Sequence, residues 1–269
     1  MKLAYFLKDQ SLQLDARVMT LLAELGAAGF DLYPILSAAD MDAGTDMLLS
    51  LGGDGTFLSA AAISLETSVP VLGVNFGRLG FLSQNRPEDV PGALSAHDYN
   101  ISLRGLVKAW GWNAGDPPQY ALNEVCVMRK GYAMLGVDVS VDGLQLPTYW
   151  ADGLIVATAS GSTAYSLSAG GPICTPDSKV LILAPISPHN LNIRPLIVPD
   201  SSRMTISFRS RDPQVRLTAD NRSFDISAGS RVEVCAAPGA LRRVELGGSN
   251  FIGALRSRLH WGSDIRNEE

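Results

Sequence analysis

The chain has 269 residues, of which 46% are hydrophobic and 18% charged, and its formal net charge is −5. This composition is typical of a globular protein with one large domain or two moderate ones, and it excludes a disordered chain. Because the net charge is negative, the protein as a whole does not attract nucleic acid or anionic lipid. An anionic ligand must be bound by a local group of donors or cations.

Location and redox state are predicted from the apolar runs and the cysteines. No run approaches the roughly 20 apolar residues that span a bilayer, and the apolar start of the chain is too short for a signal peptide. Cys126, Cys174 and Cys235 lie far apart, without a Cys or His at metal-ligand spacing. We therefore expect reduced, buried thiols and a cytoplasmic protein that binds neither membrane nor nucleic acid.

Residues 1 to about 95 alternate between strands and helices. Apolar runs without alternation, such as 47–51, separate segments with helical apolar spacing, such as 12–25. Such runs between helices indicate a parallel sheet covered on both faces. The first half, residues 1–100, is therefore predicted to be a Rossmann-like α/β domain. Its predicted strands are 2–7, 31–35, 47–51 and 69–75.

Beyond about residue 100 the apolar period changes to two, which is typical of strands with one buried face. The pair Asp142-Gly143 indicates a hairpin. Residues 101–249 are therefore predicted to form a β-rich, mostly antiparallel domain. Helical spacing returns in residues 250–269, which are expected to contain a helix that packs back on the first domain. The predicted strands are 101–110, 120–128, 135–141, 154–158, 180–184, 203–208, 214–219 and 231–236.

The most informative motif is Gly52-Gly53-Asp54-Gly55-Thr56, which follows the predicted strand 47–51. Glycines let the backbone approach a ligand, and amides at the start of the helix predicted at 56–65 can bind a phosphate. A carboxylate there repels phosphate unless it binds a divalent cation or takes a proton from an attacking hydroxyl. The alternative is an ordinary surface turn in which Asp54 is the hydrogen-bonding residue.

A second motif follows the predicted strand 154–158. Residues 159–172 are rich in hydroxyls and small side chains, and a short helix is predicted to begin near Ser162 or Thr163. Small residues admit a planar ligand, hydroxyls donate hydrogen bonds without charge, and Tyr165 offers a flat ring for a base or sugar. The alternative interpretation is a buried packing joint of small residues.

Together these motifs resemble the bacterial NAD kinase family, whose members phosphorylate the 2′-hydroxyl of the adenosine ribose of NAD to give NADP. The resemblance implies an α/β nucleotide-binding domain joined to a β-rich domain, in a homodimer or homotetramer. It also implies NAD as acceptor, ATP or polyphosphate as donor, and a divalent cation, with Mg²⁺ expected. The similarity covers five blocks in the family's order, namely 52–58, 75–82, 123–124, 152–172 and 184–199.

Carried over position by position, the resemblance makes Asp54 the general base. It assigns a phosphate loop to Gly52, Gly53, Gly55 and Thr56. It names no metal ligands. The NAD contacts that it implies are Asp54, Gly55, Asn123, Glu124, Asp152, Ser160, Thr163, Ala164, Tyr165, Ser166 and Ser168.

Several positions depart from the family's usual pattern or have open roles. Ala151 and Ala159 stand where Gly and Pro are usual, and both changes leave a pocket open. Asn221 follows Asp220 where Gly is usual, and Asn tolerates the left-handed backbone better than other non-glycine residues. Arg78 is the first candidate for a cationic phosphate contact. The roles left open are those of Asp220, Arg222, Arg78 and Arg194.

Two other functions stay open. A lipid kinase or a sugar kinase can share the Gly-Gly-Asp-Gly turn, but the first needs an apolar channel and the second needs clustered basic residues. Residues 162–168 supply neither and suit a neutral nucleoside. A non-catalytic nucleotide-binding regulator would most simply have lost the carboxylate at position 54, which is present.

Overall fold

The computed structural model describes residues 1–77, 80–248 and 250–262. The chain divides into two compact units. Unit 1 consists of Met1–Leu103 and Leu241–Glu269, and unit 2 of Arg104–Ala240. Unit 1 is therefore discontinuous in sequence, and the chain returns to it at Leu241.

Unit 1 is built on a parallel sheet with helices between its strands. Its strands are β1 (Lys2–Phe6), β2 (Asp31–Ile35), β3 (Met47–Leu51) and β4 (Val71–Val74), and its first helices are α1 (Ala16–Ala27), α2 (Asp54–Thr67) and α3 (Val90–Ser95). Short 3₁₀ turns lie at Gln10–Leu14, Ala38–Asp40 and Pro87–Asp89.

The strand order in unit 1 is β2-β1-β3-β4, and every pair is parallel. All five residues of β3 are buried, which explains its unbroken apolar run. The α/β prediction for the first half is confirmed. Because the carboxyl ends of parallel strands share one edge, the segments after β3 and β4 meet there.

Unit 2 contains mostly antiparallel strands. β5 and β17 each cross a boundary between the units. The remaining helices are α4 (Tyr165–Ser168), preceded by a 3₁₀ turn at Ser160–Thr163, and α5 (Phe251–Leu259), which belongs to unit 1. The strands are β5 (Tyr99–Trp110), β6 (Gln119–Ala121), β7 (Glu124–Arg129), β8 (Leu135–Val141), β9 (Leu144–Gln145), β10 (Tyr149–Ala151), β11 (Gly153–Thr158), β12 (Val180–Ile186), β13 (Leu196–Pro199), β14 (Arg203–Arg209), β15 (Gln214–Ala219), β16 (Arg222–Ser227) and β17 (Arg231–Leu246).

Two layers of strands enclose the core of unit 2. One is an antiparallel sheet in the order β13-β12-β11-β7-β15-β16, and the other contains β10, β8, β14 and β17 with β5 and β6 alongside. Side chains of both layers, such as Val125 and Leu217 from one and Val139 and Ile206 from the other, share one apolar cluster. The predicted hairpin joins β8 to β9, and its turn has positive φ at both central residues, 50° at Asp142 and 83° at Gly143.

The single strand predicted at 120–128 is wrong. The chain forms β6 and β7 instead, with a break at Leu122 and Asn123. The amides at the break donate hydrogen bonds to the carboxylate of Asp220, so they do not continue a strand ladder. The C-terminal helix expected from the sequence is confirmed as α5, whose cap residue Asn250 accepts a 2.6 Å hydrogen bond from the amide of Gly253.

Candidate active site

The glycine loop lies between β3 and α2 in unit 1. The amide of Gly52 donates to the carbonyl of Val74 at 2.9 Å, which fixes the loop to the end of β4. Gly53 is the cap residue of α2, and Asp54 is the first residue of the helix, two positions before the predicted start. The carboxylate therefore lies at the positive end of a fourteen-residue helix.

Asp54 binds a segment that follows β4 along the chain. Its Oδ2 accepts from the amide of Phe81 at 2.8 Å, and its Oδ1 accepts from those of Leu82 at 3.0 Å and Ser83 at 2.8 Å. A side chain on Gly80 would collide with this carboxylate, so the close approach requires glycine. We call residues 81–83 the clamped segment. No sequence pattern predicts these contacts, because the partners are 27 to 29 positions apart.

Arg243, at the end of β17, holds the clamped segment from its carbonyl side. Its Nη2 donates to the carbonyls of Leu82 at 3.0 Å and Phe81 at 3.3 Å. The guanidinium is buried and lies 5.9 Å from the ring centroid of Phe57. The carboxylate of Asp54 thus holds the amides of the clamped segment, and the guanidinium of Arg243 holds two of its carbonyls. Arg243 belongs to none of the sequence motifs that predicted the site.

Arg258, on α5, is the second cation beside this segment. Its guanidinium lies over the ring of Phe81 at 5.3 Å, and Phe251 of the same helix packs against that ring at 6.5 Å. Burial lowers the pKa of Arg258, and the charge of Asp54 opposes that effect. Arg78 lies outside the described residues, so its phosphate contact stays a prediction.

The second predicted motif lies in unit 2, where β7 begins and β11 ends. The two strands are antiparallel neighbours, with Glu124 opposite Ala157. The amide of Thr158 donates to the carbonyl of Asn123 at 2.9 Å, and the amide of Gly161 donates to the hydroxyl of Thr158 at 3.0 Å. The structure therefore brings Asn123 and Glu124 together with the segment that contains Ser160 to Ser168.

The segment after β11 is not the single helix that was predicted. It forms a 3₁₀ turn and then the short helix α4. A side chain on Gly161 would collide with the backbone carbonyl of Asn123, so only glycine allows this close approach. Tyr165 is 39% exposed, and its hydroxyl lies 3.8 Å from the Sδ of Met128. Thr163 and Ala164 are half-buried, whereas Ser168 is exposed.

Three buried polar atoms in this region have no hydrogen-bond partner among the described residues. They are Oε2 of Glu124, Oγ of Ser160 and Oγ of Ser166. Burial raises the pKa of Glu124 to about 8, and the neighbouring carboxylate of Asp220 adds to the rise. Glu124 is therefore mostly protonated at neutral pH and can donate a hydrogen bond. Unpartnered groups of this kind are rare in native cores and are expected where a ligand binds.

Asp220, Arg222 and Arg194, whose roles the sequence left open, form hydrogen bonds within the chain. Asp220 accepts from the amides of Leu122 at 2.7 Å, Asn123 at 2.8 Å and Glu124 at 3.3 Å. It also has the positive φ of its turn, 50°, which the sequence analysis had expected at the following residue. Arg222 donates to Gln119 at 2.9 Å and to the carbonyl of Tyr120, and Arg194 donates to the carbonyls of Leu191 at 2.6 Å and Ile193 at 2.8 Å.

Asp152 lies at the opposite end of β11 from this group. Its carboxylate forms an ion pair of 2.6 Å with Arg129. The strand from Gly153 to Thr158 separates it from Asn123 and Glu124, a distance of roughly 17 Å at the usual rise per residue. Within one chain, the structure therefore places Asp152 far from Asn123 and Glu124. Tyr165 lies nearer to Asp152, because its hydroxyl contacts Met128, which is opposite Gly153. Burial raises the pKa of Tyr165, and the charge of Asp152 contributes to the rise.

No cluster of three or more His, Cys, Asp or Glu side chains that could bind a metal occurs in the described part of the chain. The three cysteines are free, and only Cys126 is buried, so the expectation of buried thiols is wrong for Cys174 and Cys235, which are half-buried. Within the same ranges, no helix is long and apolar enough to cross a membrane.

Comparison with known proteins decides the family. The sequence model of the ATP-NAD kinase N-terminal domain matches residues 9–97, and that of the C-terminal domain matches residues 122–246. The chain belongs to the NAD kinase family. It is 40% identical to the NAD kinase of Flavobacterium johnsoniae over 242 residues, which cover 87% of this chain and 82% of the relative. It is 34% identical to the NAD kinase of Flavobacterium psychrophilum over 275 residues, which cover 99% and 94%.

Solved structures of NAD and NADH kinases share the fold. The crystal structure of yeast NADH kinase complexed with NADH superposes with a TM-score of 0.86 at 24% identity, covering 100% of this chain and 90% of that one. The structure of an NAD kinase from Archaeoglobus fulgidus in complex with ATP gives a TM-score of 0.76 at 25% identity, covering 96% and 99%. The resemblance to the NAD kinase family is confirmed, and the chain is a phosphotransferase.

Proposed function

We propose that the protein transfers the terminal phosphoryl group of ATP or polyphosphate to the 2′-hydroxyl of the adenosine ribose of NAD, giving NADP. The observation that carries this proposal is the set of unpartnered buried polar atoms on Glu124, Ser160 and Ser166. A nucleoside supplies both donors and acceptors to such a set, and neither a lipid chain nor a sugar phosphate matches its neutral character.

The adenosine is proposed to bind among the residues at the start of β7 and the end of β11. The protonated carboxyl of Glu124 donates to a ribose or base acceptor, and the side chain of Asn123 binds the same nucleoside. The hydroxyls of Ser160, Thr163 and Ser166 and the ring of Tyr165 complete the pocket. Ala164 and Ser168 border it, and Asp152 contacts NAD from the other end of β11, in an oligomer from a neighbouring subunit.

The donor is proposed to bind at the glycine loop of unit 1. The loop precedes α2, whose positive end favours phosphate. Beside Gly53 and Gly55 an added side chain would meet nothing within 4 Å, so a phosphate has room to approach the backbone. The Archaeoglobus fulgidus relative is bound to ATP in its crystal structure, which supports ATP as the donor here.

Asp54 is proposed to accept the proton of the 2′-hydroxyl. Its Oδ1 already accepts two amide hydrogen bonds and its Oδ2 only one, so Oδ2 has an acceptor site left. The carboxylate acts mainly by orienting the hydroxyl and by taking its proton late, as the bond to phosphorus forms.

The divalent cation is proposed to arrive with the donor. The phosphates of the donor would be its main ligands, and Asp54 is a carboxylate at the glycine loop that would face them. Such a cation, with Mg²⁺ expected, neutralises charge on the phosphates when bound. The protein's own part is to hold the phosphates at the loop and the hydroxyl at Oδ2.

A panel of acceptors tests the function. The purified protein is incubated with Mg²⁺ and ATP, or with Mg²⁺ and polyphosphate, in the presence of NAD, NADH, a diacylglycerol dispersion or fructose 6-phosphate. We expect NADP from NAD, read by an NADP-specific dehydrogenase, and no phosphorylation of the lipid or the sugar. Phosphorylation of lipid or sugar without NADP formation would replace the proposal by one of the alternatives.

A further inference from the structure

Arg258 is a half-buried cation that forms no ion pair with the residues that the structure describes. Its Nε and Nη1 are buried, and neither has a hydrogen-bond partner in the described part of the chain. Burial lowers the pKa of Arg258, so the surroundings disfavour its charge. Two buried guanidinium nitrogens without an acceptor cost stability, so their position calls for an explanation.

Arg243, which is also buried in unit 1, is an example of a guanidinium whose donors have acceptors. Arg243 donates to the carbonyls of the clamped segment and lies 3.8 Å from the carboxylate of Glu245. Arg258 is beside the same segment, over the ring of Phe81, and uses none of its carbonyls. The two cations therefore have different tasks.

Burial lowers the pKa of Arg258, and the negative charge of Asp54 opposes that effect without a direct ion pair between the two side chains. The Asp54 carboxylate accepts hydrogen bonds from the three amides of the clamped segment. The guanidinium of Arg258 packs on the ring of Phe81, 5.3 Å from its centroid. This arrangement keeps the guanidinium near the glycine loop while leaving its donors unused. An anion that arrives at the loop can take them.

We propose that Arg258 binds the oxygens of the donor's terminal phosphoryl group and stabilises the charge on that group during transfer. This inference rests on the proposed function. A guanidinium presents its N–H groups in a planar fork that matches a phosphate, and partial burial strengthens the contact. The phosphate in turn supplies the acceptors that Nε and Nη1 lack.

The transfer step leaves Arg258 unchanged. The bond between the terminal phosphorus and its bridging oxygen breaks, and its electron pair stays on the leaving phosphate. The 2′-oxygen of the acceptor forms the new bond, and its proton goes to Asp54. Arg258 gives up neither a proton nor electrons, because it only holds the equatorial oxygens on which charge accumulates.

Four variants test this role: Arg258→Gln, Arg258→Lys, Arg258→Ala and, as the matched control, Arg256→Gln. Arg256 lies on the same last turn of α5 but is exposed, so its loss removes the same charge from the helix without touching the segment. For each protein, kcat, the KM for ATP, the KM for NAD and the Tm are measured in the full chain.

We expect Arg258→Gln to lower kcat by about 100-fold, as removal of one transition-state donor does, with the KM for NAD within about threefold of wild type. Arg258→Lys should retain part of the activity, because a point charge replaces the fork. Added guanidinium, far below denaturing concentration, should restore part of the activity of Arg258→Ala. Arg256→Gln should match wild type in every parameter.

A wild-type kcat in Arg258→Gln overturns the inference. The inference is also overturned if Arg258→Gln lowers Tm enough to unfold the protein under assay conditions and added guanidinium restores no activity to Arg258→Ala. Arg258 would then only pack against Phe81. Failure of the proposed function is a separate result, since the wild-type protein would then make no NADP from NAD at all.

Discussion

Glu124 sets the chemistry of unit 2 at the scale of single residues. It is a buried acid beside a second buried acid, Asp220, whose pKa is also raised by burial. The carboxylate of Asp220 accepts hydrogen bonds from three backbone amides, whereas one oxygen of Glu124 has no partner in the described residues. Asp220 therefore holds the backbone at residues 122–124, whereas the raised pKa of Glu124 favours a neutral carboxyl that can bind a ligand.

The raised pKa makes stability depend on pH. Glutamate has a pKa near 4.3 when unfolded, so between about pH 4.3 and 8 the native state binds a proton that the unfolded state releases. The contribution to stability is thus fully present below pH 4.3 and is lost as pH rises through 8. We expect the stability of Glu124→Gln relative to wild type to increase as pH rises from 5 to 8, by at most ~1.4 kcal/mol for each pH unit.

Urea unfolding of wild type and Glu124→Gln at pH 5, 6, 7 and 8 measures this gain. Glu66→Gln is the control, because Glu66 is an exposed glutamate on α2. All other titrating groups are common to the proteins, so they cancel in the difference. Parallel stability curves for wild type and Glu124→Gln would contradict a buried, protonated Glu124.

At the scale of elements, two irregular segments are held in the same way. Asp54 binds the amides of residues 81–83, and Asp220 binds those of residues 122–124. The partners are 27 to 29 positions apart in the first case and 96 to 98 in the second. Sequence periodicity reports only on neighbours a few residues apart, which is why neither set of contacts could be predicted.

The close contact between the 3₁₀ turn and β7 gives an element-scale prediction. In Gly161→Ala the new side chain collides with the carbonyl of Asn123 and pushes Ser160 and Tyr165 away from Glu124. We expect a loss of about 1–3 kcal/mol in unfolding free energy, since overpacking costs this much, and at least a tenfold weaker affinity for NAD by calorimetry.

The matched control is Gly229→Ala, also in unit 2. Its new side chain meets only the hydroxyl of Ser227, at 3.6 Å, which is an ordinary contact. We expect it to bind NAD as wild type does. Equal NAD affinity in the two variants would show that the segment after β11 is not part of the nucleotide pocket.

At the scale of the whole molecule, the sequence predicted the two-part α/β and β-rich organisation. The first half alternates unbroken apolar runs with segments of helical spacing, and the second half keeps an apolar period of two over many strands. Strand β15 falls at the predicted residues, 214–219. Short edge strands such as β10 and β13 were missed, because three or four residues carry too little pattern. The return of β17 and α5 to unit 1 brings Arg243 and Arg258 to the glycine loop, a placement that only the tertiary fold determines.

The oligomeric state is a further whole-molecule prediction. Unit 2 exposes the large apolar side chains of Tyr132, Leu144, Leu191 and Ile197, which suits contacts between copies of the chain. We expect a mass of two or four times 28.6 kDa by light scattering coupled to size exclusion. A monomer at micromolar concentration that makes NADP at full rate would contradict this and would remove the role proposed for Asp152 of a neighbouring subunit.

The most direct test of the account compares the turnover of Asp54→Asn with that of Arg243→Gln, each alongside its Tm. Both variants loosen the clamped segment, but only the first removes the carboxylate proposed to take the proton. We predict that Asp54→Asn binds NAD within several-fold of wild type and turns over about 10²- to 10⁴-fold more slowly, as loss of a general base does, while Arg243→Gln stays within about tenfold. Wild-type turnover in Asp54→Asn, or an equal loss in both variants, would contradict the role of Asp54 in catalysis.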